Sequence, residues 1–188
     1  PGVTLVGVVC ADQSLSMPDY RAAERTFQLL TQVAGRSGRG ELPGEVIIQT
    51  YNPEHYSVTC AARHDYRAFY DREVRFRRDL KYPPFGKLVN IRCEGTNGRD
   101  VEALAQQLGA SCRKKCQTGP DAATIEVLGP VKAPWEKMKG RYRFQMLLKG
   151  AGSQALKNCA AGAMQEHAES IKRSGVKVIV DIDPMLLM

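Results

Sequence analysis

Two arginines three residues apart, Arg36 and Arg39, close the segment Gln32-Val33-Ala34-Gly35-Arg36-Ser37-Gly38-Arg39. Guanidinium groups keep their charge at any working pH, and their planar donor forks match phosphate oxygens. Two of them held close together at a helix end can grip a polyphosphate. Set against a γ-phosphate, such an arginine stabilises charge that develops in phosphoryl transfer. The bare Arg-Ser-Gly-Arg string also reads as a solvated basic turn. A second constellation lies far along the chain. Lys132, Lys137, Lys139, Arg141 and Arg143 surround Trp135, the chain's only tryptophan, and Glu136 is the one acid between Val131 and Arg143. Cations meet phosphates while a ring stacks on a base, a pairing suited to single-stranded nucleic acid. The other reading is a solvated loop whose Trp135 folds back onto its own sheet.

The elements that would position the first group form a piece of an α/β lobe. Val3–Val9 is a nearly continuous apolar, β-branched run, as in a strand buried on both faces of a parallel sheet. Pro18-Asp19 marks a boundary, and a helix is expected from about Tyr20 to Ala34. Gly35 and Gly38 would let the backbone turn at its end. Glu45–Thr50 reads as a second short strand. Strand, helix, strand is a crossover unit and implies parallel pairing. Two helices follow, about Glu54–Arg63 and Asp65–Leu80. Tyr66, Phe69, Tyr70, Glu73, Phe76 and Leu80 recur at helical spacing and read as a core-facing stripe. Arg67, Arg72, Arg75, Arg77 and Arg78 lie opposite, on a face that could follow a phosphate backbone or simply be solvated. Tyr82-Pro83-Pro84-Phe85 ends the helix, since the prolines force an extended path, and the domain boundary is placed there.

The second group belongs to an α+β domain. Leu88–Glu94 alternates as a strand, and Arg99 to about Cys116 is an amphipathic helix. Ile125–Leu128 is a strand closed by Gly129-Pro130, and Tyr142–Leu148 is another. Ser153–Arg173 is a helix, and Val176–Ile182 is the last strand. The order β-α-β-β-α-β predicts a ferredoxin-like split crossover. The cationic stretch around Trp135 falls in the loop between the second and third of these strands. Arg141 and Arg143 alternate with Tyr142 and Phe144, so the two arginines should share one sheet face.

Charge divides the chain at the same place. Residues 1–85 carry 11 Lys and Arg against 10 Asp and Glu, whereas residues 86–188 carry 16 against 10. Nearly all of the net +7 therefore sits in the second part, which suggests a polyanionic partner there. No apolar run approaches the roughly 18 residues that span a bilayer. The six cysteines, Cys10, Cys60, Cys93, Cys112, Cys116 and Cys159, include no Cys-x-x-Cys pair. They are expected to be free and mostly buried thiols, with no metal site.

The string Gln32-x-x-Gly35-Arg36-x-Gly38-Arg39 resembles the last ATPase motif of superfamily 2 helicases, with every fixed position matched. Its surroundings are narrower still: Pro18-Asp19-Tyr20-Arg21-Ala22-Ala23-Glu24-Arg25, Pro43-Gly44-Glu45-Val46-Ile47-Ile48, Tyr82-Pro83-Pro84-Phe85, Leu128-Gly129-Pro130, Arg141–Leu148 and Val180-Asp181-Ile182-Asp183-Pro184. In this order they resemble the C-terminal part of the bacterial primosomal replication-restart helicases, the PriA family (primosomal protein N′), over nearly the whole chain. The resemblance implies that residues 1–85 are an incomplete portion of the second RecA-like lobe and residues 86–188 the family's C-terminal domain. It casts Arg36 and Arg39 as catalytic, with Gln32, Gly35 and Gly38 supporting the ATP site. It makes Lys132, Trp135, Lys137, Lys139, Arg141 and Arg143 candidates for contact with nucleic acid or a partner protein.

For the parent enzyme the resemblance implies ATP with Mg²⁺, and zinc held by cysteines outside this chain. Its activity would be 3′-to-5′ DNA unwinding at stalled or branched forks, leading to primosome assembly in the bacterial cytoplasm, at the nucleoid. Implied partners are single-stranded and branched DNA, the acidic tail of the single-stranded DNA-binding protein and other primosome proteins, with no membrane. The chain contains no Gly-x-x-x-x-Gly-Lys-Ser/Thr loop to cradle phosphates. It is accordingly expected to be a fragment with no bound cofactor and no ATPase activity of its own. The alternative is a nonenzymatic ferredoxin-like nucleic-acid-binding module, which accounts for residues 86–188 but leaves the arginine motif unexplained.

Overall fold

The computed structural model describes residues 3–37, 44–118 and 125–187. Two units divide after Arg78, one comprising Pro1–Arg78 and the other Asp79–Met188. The Tyr82–Phe85 segment, read from sequence as the boundary, therefore lies inside the second unit. Its Lys149 Nζ sits 5.1 Å from the Tyr82 ring centroid and donates to the Leu80 carbonyl, which ties the segment to its own sheet.

In the first unit β1 (Leu5–Val8) pairs in parallel with β2 (Glu45–Ile48), and the chain between them includes α1 (Asp12–Leu15) and α2 (Ala22–Ala34). A core of Phe27, Leu30, Val58, Cys60, Ala61 and Phe69 joins α2 to α3 (Tyr56–Ala62) and α4 (Tyr66–Asp79). Within this chain the first strand is not buried on both faces, which corrects the sequence expectation of a strand inside a full parallel sheet. Burial alternates along both strands, and Leu5 and Ile47 are 58% and 55% exposed. The unit's core contacts only one side of this two-stranded pair, reaching it through Val8 and Ile48. The aromatic stripe of α4 is corrected as well. Phe69 and Glu73 are buried, whereas Tyr66, Tyr70, Phe76 and Leu80 are exposed. The packed stripe is only as wide as the face α4 turns to α2 and α3.

The second unit is a four-stranded antiparallel sheet in the order β4-β5-β3-β6. Its strands are β3 (Lys87–Gly95), β4 (Ile125–Met138), β5 (Arg141–Gly150) and β6 (Lys177–Ile182). Helix α5 (Gly98–Thr118) lies between β3 and β4 in sequence. The second crossover is two helices, α6 (Ser153–Glu166) and α7 (Ala168–Ser174), which meet at His167 where one continuous helix was expected. Val89, Ile91, Cys93, Phe144, Met146 and Leu148 point from the sheet into a core closed by Val101, Leu104, Leu108, Leu156 and Ala160. Alternation in the strands and the i, i+3, i+7 spacing of the α5 residues put all of them on matching faces.

The expected loop around Trp135 is instead strand. Chain pairing resumes beyond Gly129-Pro130, with Val131 opposite Gln145, and runs to Met138. Gly129 takes φ +90°, so a glycine lets the strand kink there and continue rather than stop. The hairpin closes on two residues, Lys139 (φ 50°) and Gly140 (φ 77°), with Met138 opposite Arg141. Positive φ at both central positions is the tight turn whose twist suits antiparallel strands.

Candidate functional site

The arginine motif begins where α2 ends. Ala22, Thr26, Phe27 and Leu30 bury one face of that helix, leaving Gln32 and Arg36 exposed one turn apart. The helix unwinds through three-residue bonds, Arg36 N–H to the Val33 carbonyl at 3.1 Å and Ser37 N–H to Ala34 at 3.2 Å. Ser37 Oγ then donates to the Glu45 carbonyl at 3.2 Å, linking the motif to the start of β2. Arg36 stands at the negative end of the helix dipole, where a cation is favoured. Gly35 is corrected: its φ is −69° and ψ −1°, ordinary helical values open to any residue, so the turn here does not use glycine's freedom. Gly38 and Arg39 lie outside the described residues.

Helix α2 is anchored by a set of charges on α2 and α4. Arg77 donates to Glu24 and to Glu73, each at 2.7 Å, and so ties α4 to α2. Tyr56 OH donates to the other oxygen of Glu73 at 2.7 Å. Burial draws the Arg77 pKa down, but its bonds to Glu24 and Glu73 more than offset this and hold it above the ordinary value. Burial, reinforced by Glu73, pushes the Tyr56 phenol up. Phe27 stacks on Phe69 with centroids 4.2 Å apart beneath this network. Asp19 accepts from Arg25 at 3.0 Å and from the Arg21 N–H at 2.9 Å, which fixes the start of the helix. Arg77 thus faces inward, unlike the solvated position its place among the α4 arginines suggests from sequence. The signal that could have found its role is the i, i+4 pair Glu73–Arg77 lying along the buried stripe.

In the second unit the hairpin displays most of the predicted cations. Lys139 and Arg141 are exposed at its tip, and Lys137 Nζ sits 4.7 Å from the Tyr142 ring centroid. Lys132 pairs with Glu136 at 2.8 Å, which raises its pKa. Trp135 is 51% exposed. It falls in an irregularity of β4, where five residues from Lys132 to Lys137 advance past only two positions of β5, from Phe144 to Tyr142. Pro134 cannot donate to a ladder, and β4 is an edge strand, so extra residues are accommodated there.

Arg143 departs from the expected surface. It is 3% exposed, and its Nε donates to Glu94 Oε1 at 3.1 Å. The same oxygen accepts from Arg92 Nε at 2.7 Å. Register explains this, because β3 and β5 pair Glu94 directly with Arg143. Alternation places Arg141 and Arg143 on one face, but only Arg143 lies within reach of β3; Arg141 is past its end, since Tyr142 already pairs with the last residue, Gly95. Beside the hairpin base, a cleft of about 610 Å³ is lined by Asn97, Arg99, Glu102, Lys132, Glu136 and Tyr142, with charges of both signs.

Five of the six cysteines are buried, Cys10 is partly exposed, and all are free thiols. Among the described residues no three His, Cys, Asp or Glu side chains cluster as a metal site. Among them, too, no helix is long and apolar enough to cross a membrane.

The chain is a mixed α/β molecule that exposes Arg36 at a helix end and carries a basic hairpin. Residues 78–185 match the family described as "Primosomal protein N C-terminal domain". "Replication restart protein PriA" of Bacillus subtilis (strain 168) is 38% identical over 188 residues, covering 100% of this chain and 23% of that protein. Its counterpart in Synechocystis is 43% identical over 183 residues, covering 97% and 21%, and that of Haemophilus influenzae is 36% identical over 186 residues, covering 98% and 24%. The chain belongs to the PriA replication restart family and carries its C-terminal domain. It spans about a quarter of the length of the curated relatives it matches.

Proposed function

We propose that this chain is the C-terminal portion of an ATP-dependent 3′-to-5′ DNA helicase that recognises stalled or branched forks and initiates primosome assembly for replication restart. The first unit is then part of the second RecA-like lobe. The second is a ferredoxin-like domain, a reading its strand order and all-antiparallel pairing support. The observation that carries the proposal is the match to "Replication restart protein PriA" along the length of the chain. The donor set present fits a nucleotide only in part: an exposed guanidinium at a helix end, with no phosphate-cradling loop in the sequence. Bound ATP with Mg²⁺ would supply the phosphoryl group, and residues elsewhere in the protein would hold it. Within this chain Arg36 and Arg39 would draw the terminal phosphate oxygens into charge-assisted hydrogen bonds, with Gln32 orienting the neighbouring backbone. Zinc would be held outside this chain, which alone would hydrolyse no ATP.

The hairpin would carry the polyanion. Lys137, Lys139 and Arg141 would meet phosphates of single-stranded or branched DNA, and Trp135 would stack on a base. The same basic, partly apolar surface suits the acidic tail of the single-stranded DNA-binding protein, and other primosome proteins complete the partners. The setting is the bacterial cytoplasm. In the full-length protein Arg39→Ala is expected to lower the rate of ATP hydrolysis by roughly 10³–10⁵, as loss of a transition-state arginine does, with DNA affinity nearly unchanged. A steady-state ATPase assay beside a DNA-binding isotherm measures both. Wild-type kcat in that variant would remove Arg39 from the chemistry.

A further inference from the structure

We propose that Cys116 and Cys159 form a peroxide-responsive dithiol, which a hydroperoxide converts to a disulfide joining α5 to α6 across the second unit's helix layer. Cys116 lies in the last turn of α5 and Cys159 in the middle of α6, and their sulfurs are 3.7 Å apart. To bond, the two sulfurs must close from this contact to about 2.05 Å. The backbones around them are held in register. Glu166 of α6 accepts from Ser111 Oγ of α5 at 2.7 Å and pairs with Lys115 Nζ at 3.2 Å. Gly162 lets the Lys115 stem lie close against α6, since a Cβ there would meet Lys115 Cε at 3.2 Å.

Access separates this pair from the unit's other thiols. Cys93 and Cys112 are 0% exposed, whereas Cys116 and Cys159 are 8% and 7% exposed. Cys116 is two residues from the end of α5, where a helix opens most readily. The chemistry balances without a metal. One thiolate attacks a peroxide oxygen, so an S–O bond forms, the O–O bond breaks and water leaves. The second sulfur attacks that sulfenic acid, the S–O bond breaks, and its proton leaves with a second water. The protein loses two electrons and two protons, and one peroxide is reduced to two waters. Burial pushes the Cys116 thiol up to about 12, and a hydrogen bond with Cys112 together with burial raises Cys159 as well, so the reaction is slow beside that of a catalytic cysteine. Cys112 is the competitor: Cys159 Sγ is 3.7 Å from its carbonyl oxygen, and a hydrogen bond with Cys159 lowers its pKa.

The sequence offers a clean way to tell the two apart. Arg113, Lys114 and Lys115 lie between Cys112 and Cys116, so trypsin places these cysteines on different peptides. The 188-residue chain, with Cys10→Ser to prevent cross-linking between molecules, is treated with hydrogen peroxide and alkylated. It is then digested without reduction and mapped by mass spectrometry. The expected product joins the Cys116 peptide to the Cys159 peptide, disappears on reduction, persists in Cys112→Ser and is lost in Cys116→Ser. A bridge from Cys112 to Cys159, or oxidation without any bridge, would overturn the proposal. The Cys10→Ser chain itself carries the decisive readout, so a further variant that fails to fold leaves the test intact.

Discussion

The two units differ in how much of their sheet this chain covers, and the chain spans about a quarter of its relatives' length. In the second, α5 and α6 close one face of four strands, and Val89, Ile91, Cys93, Leu108, Leu148 and Leu156 are almost wholly withdrawn from water. In the first, two parallel strands present Leu5 and Ile47 to solvent, and the core is made chiefly between helices. Parallel strands normally carry cover on both faces. Within this chain, α2, which leads into Arg36, is held by helix packing and the Glu24–Arg77–Glu73 ion network. The second unit holds its hairpin through a β4–β5 ladder that is interrupted at Gly129-Pro130 and between Lys132 and Lys137 but closes again at Met138–Arg141.

The contrast breaks most severely in the cores. Leu108→Ala in α5 is expected to cost about 2–5 kcal/mol, the range for a fully buried leucine, and to unfold the second unit first. Leu30→Ala removes a side chain only 1% exposed and should cost a similar amount in the first unit. Urea melts followed by hydrogen exchange would assign each loss to its unit. If Leu108→Ala weakened amides of α2 as much as those of β3, the units would not be independent in stability.

A smaller effect separates two arginines that sequence treats alike. Arg143→Met removes a buried guanidinium but leaves Glu94 paired with Arg92, so a destabilisation on the order of 1–3 kcal/mol is expected. It should leave the salt dependence of single-stranded DNA binding unchanged. Arg141→Ala should do the reverse, with little effect on stability and a log–log salt slope flatter by about 0.7; the triple change at Lys137, Lys139 and Arg141 should flatten it by roughly 2. Anisotropy titrations across a salt series decide. A flatter slope in Arg143→Met would mean that the ion pair opens to meet DNA.

These cases show what was legible. The second unit's strands and helices follow from alternation and helical spacing at Leu88–Glu94, Arg99–Cys116 and Tyr142–Leu148, because both faces of each element differ in polarity. The long β4 was not legible, since Gly129-Pro130 looks like a stop in one dimension and is a kink in three. Alternation also assigned Arg143 to a face without naming its partner, which depends on the cross-strand register with Glu94. Exposure of Tyr66 and Tyr70 escaped for a similar reason: helical spacing shows a stripe, and only packing shows its width. The proximity of Cys116 to Cys159 required knowing how α5 crosses α6.

Acid should sharpen the comparison within the first unit. Asp12 accepts from the Tyr51 N–H at 2.9 Å, from Asn52 Nδ2 at 3.0 Å and from Thr50 Oγ1 at 2.9 Å, pinning α1 to the segment after β2. These bonds, that from Tyr51 foremost, hold its carboxyl below the usual range although burial opposes them. A depressed carboxylate contributes stability above its unfolded pKa and loses it as pH falls through the folded one. Asp12→Asn should therefore lower the first unit's Tm at neutral pH, with the gap closing as pH drops below 3.8, the ordinary value. Melting curves at stepped pH test this; a gap that widened in acid would give the pinning to another group.

The smallest expected effect concerns two glycines. Gly35 ends α2 at a helical φ of −69°, and a Cβ there would meet the Thr31 carbonyl at 3.5 Å, an ordinary contact. Gly35→Ala should therefore stabilise the first unit by about 0.4–1 kcal/mol, mainly by narrowing the unfolded ensemble. Gly140 has open space around it but sits at φ +77° in the hairpin turn, so the same substitution should destabilise the second unit through backbone strain alone. The opposite signs isolate conformation from packing, because neither added methyl clashes. Gly35 also stands in the arginine motif, so the two readings of that string diverge in the full-length protein. If Gly35→Ala raised Tm and left ATP hydrolysis intact, the glycine would be dispensable to the proposed phosphate grip. If Tm rose while hydrolysis fell, the motif would take a different backbone shape around nucleotide, one in which Gly35 leaves the helical region.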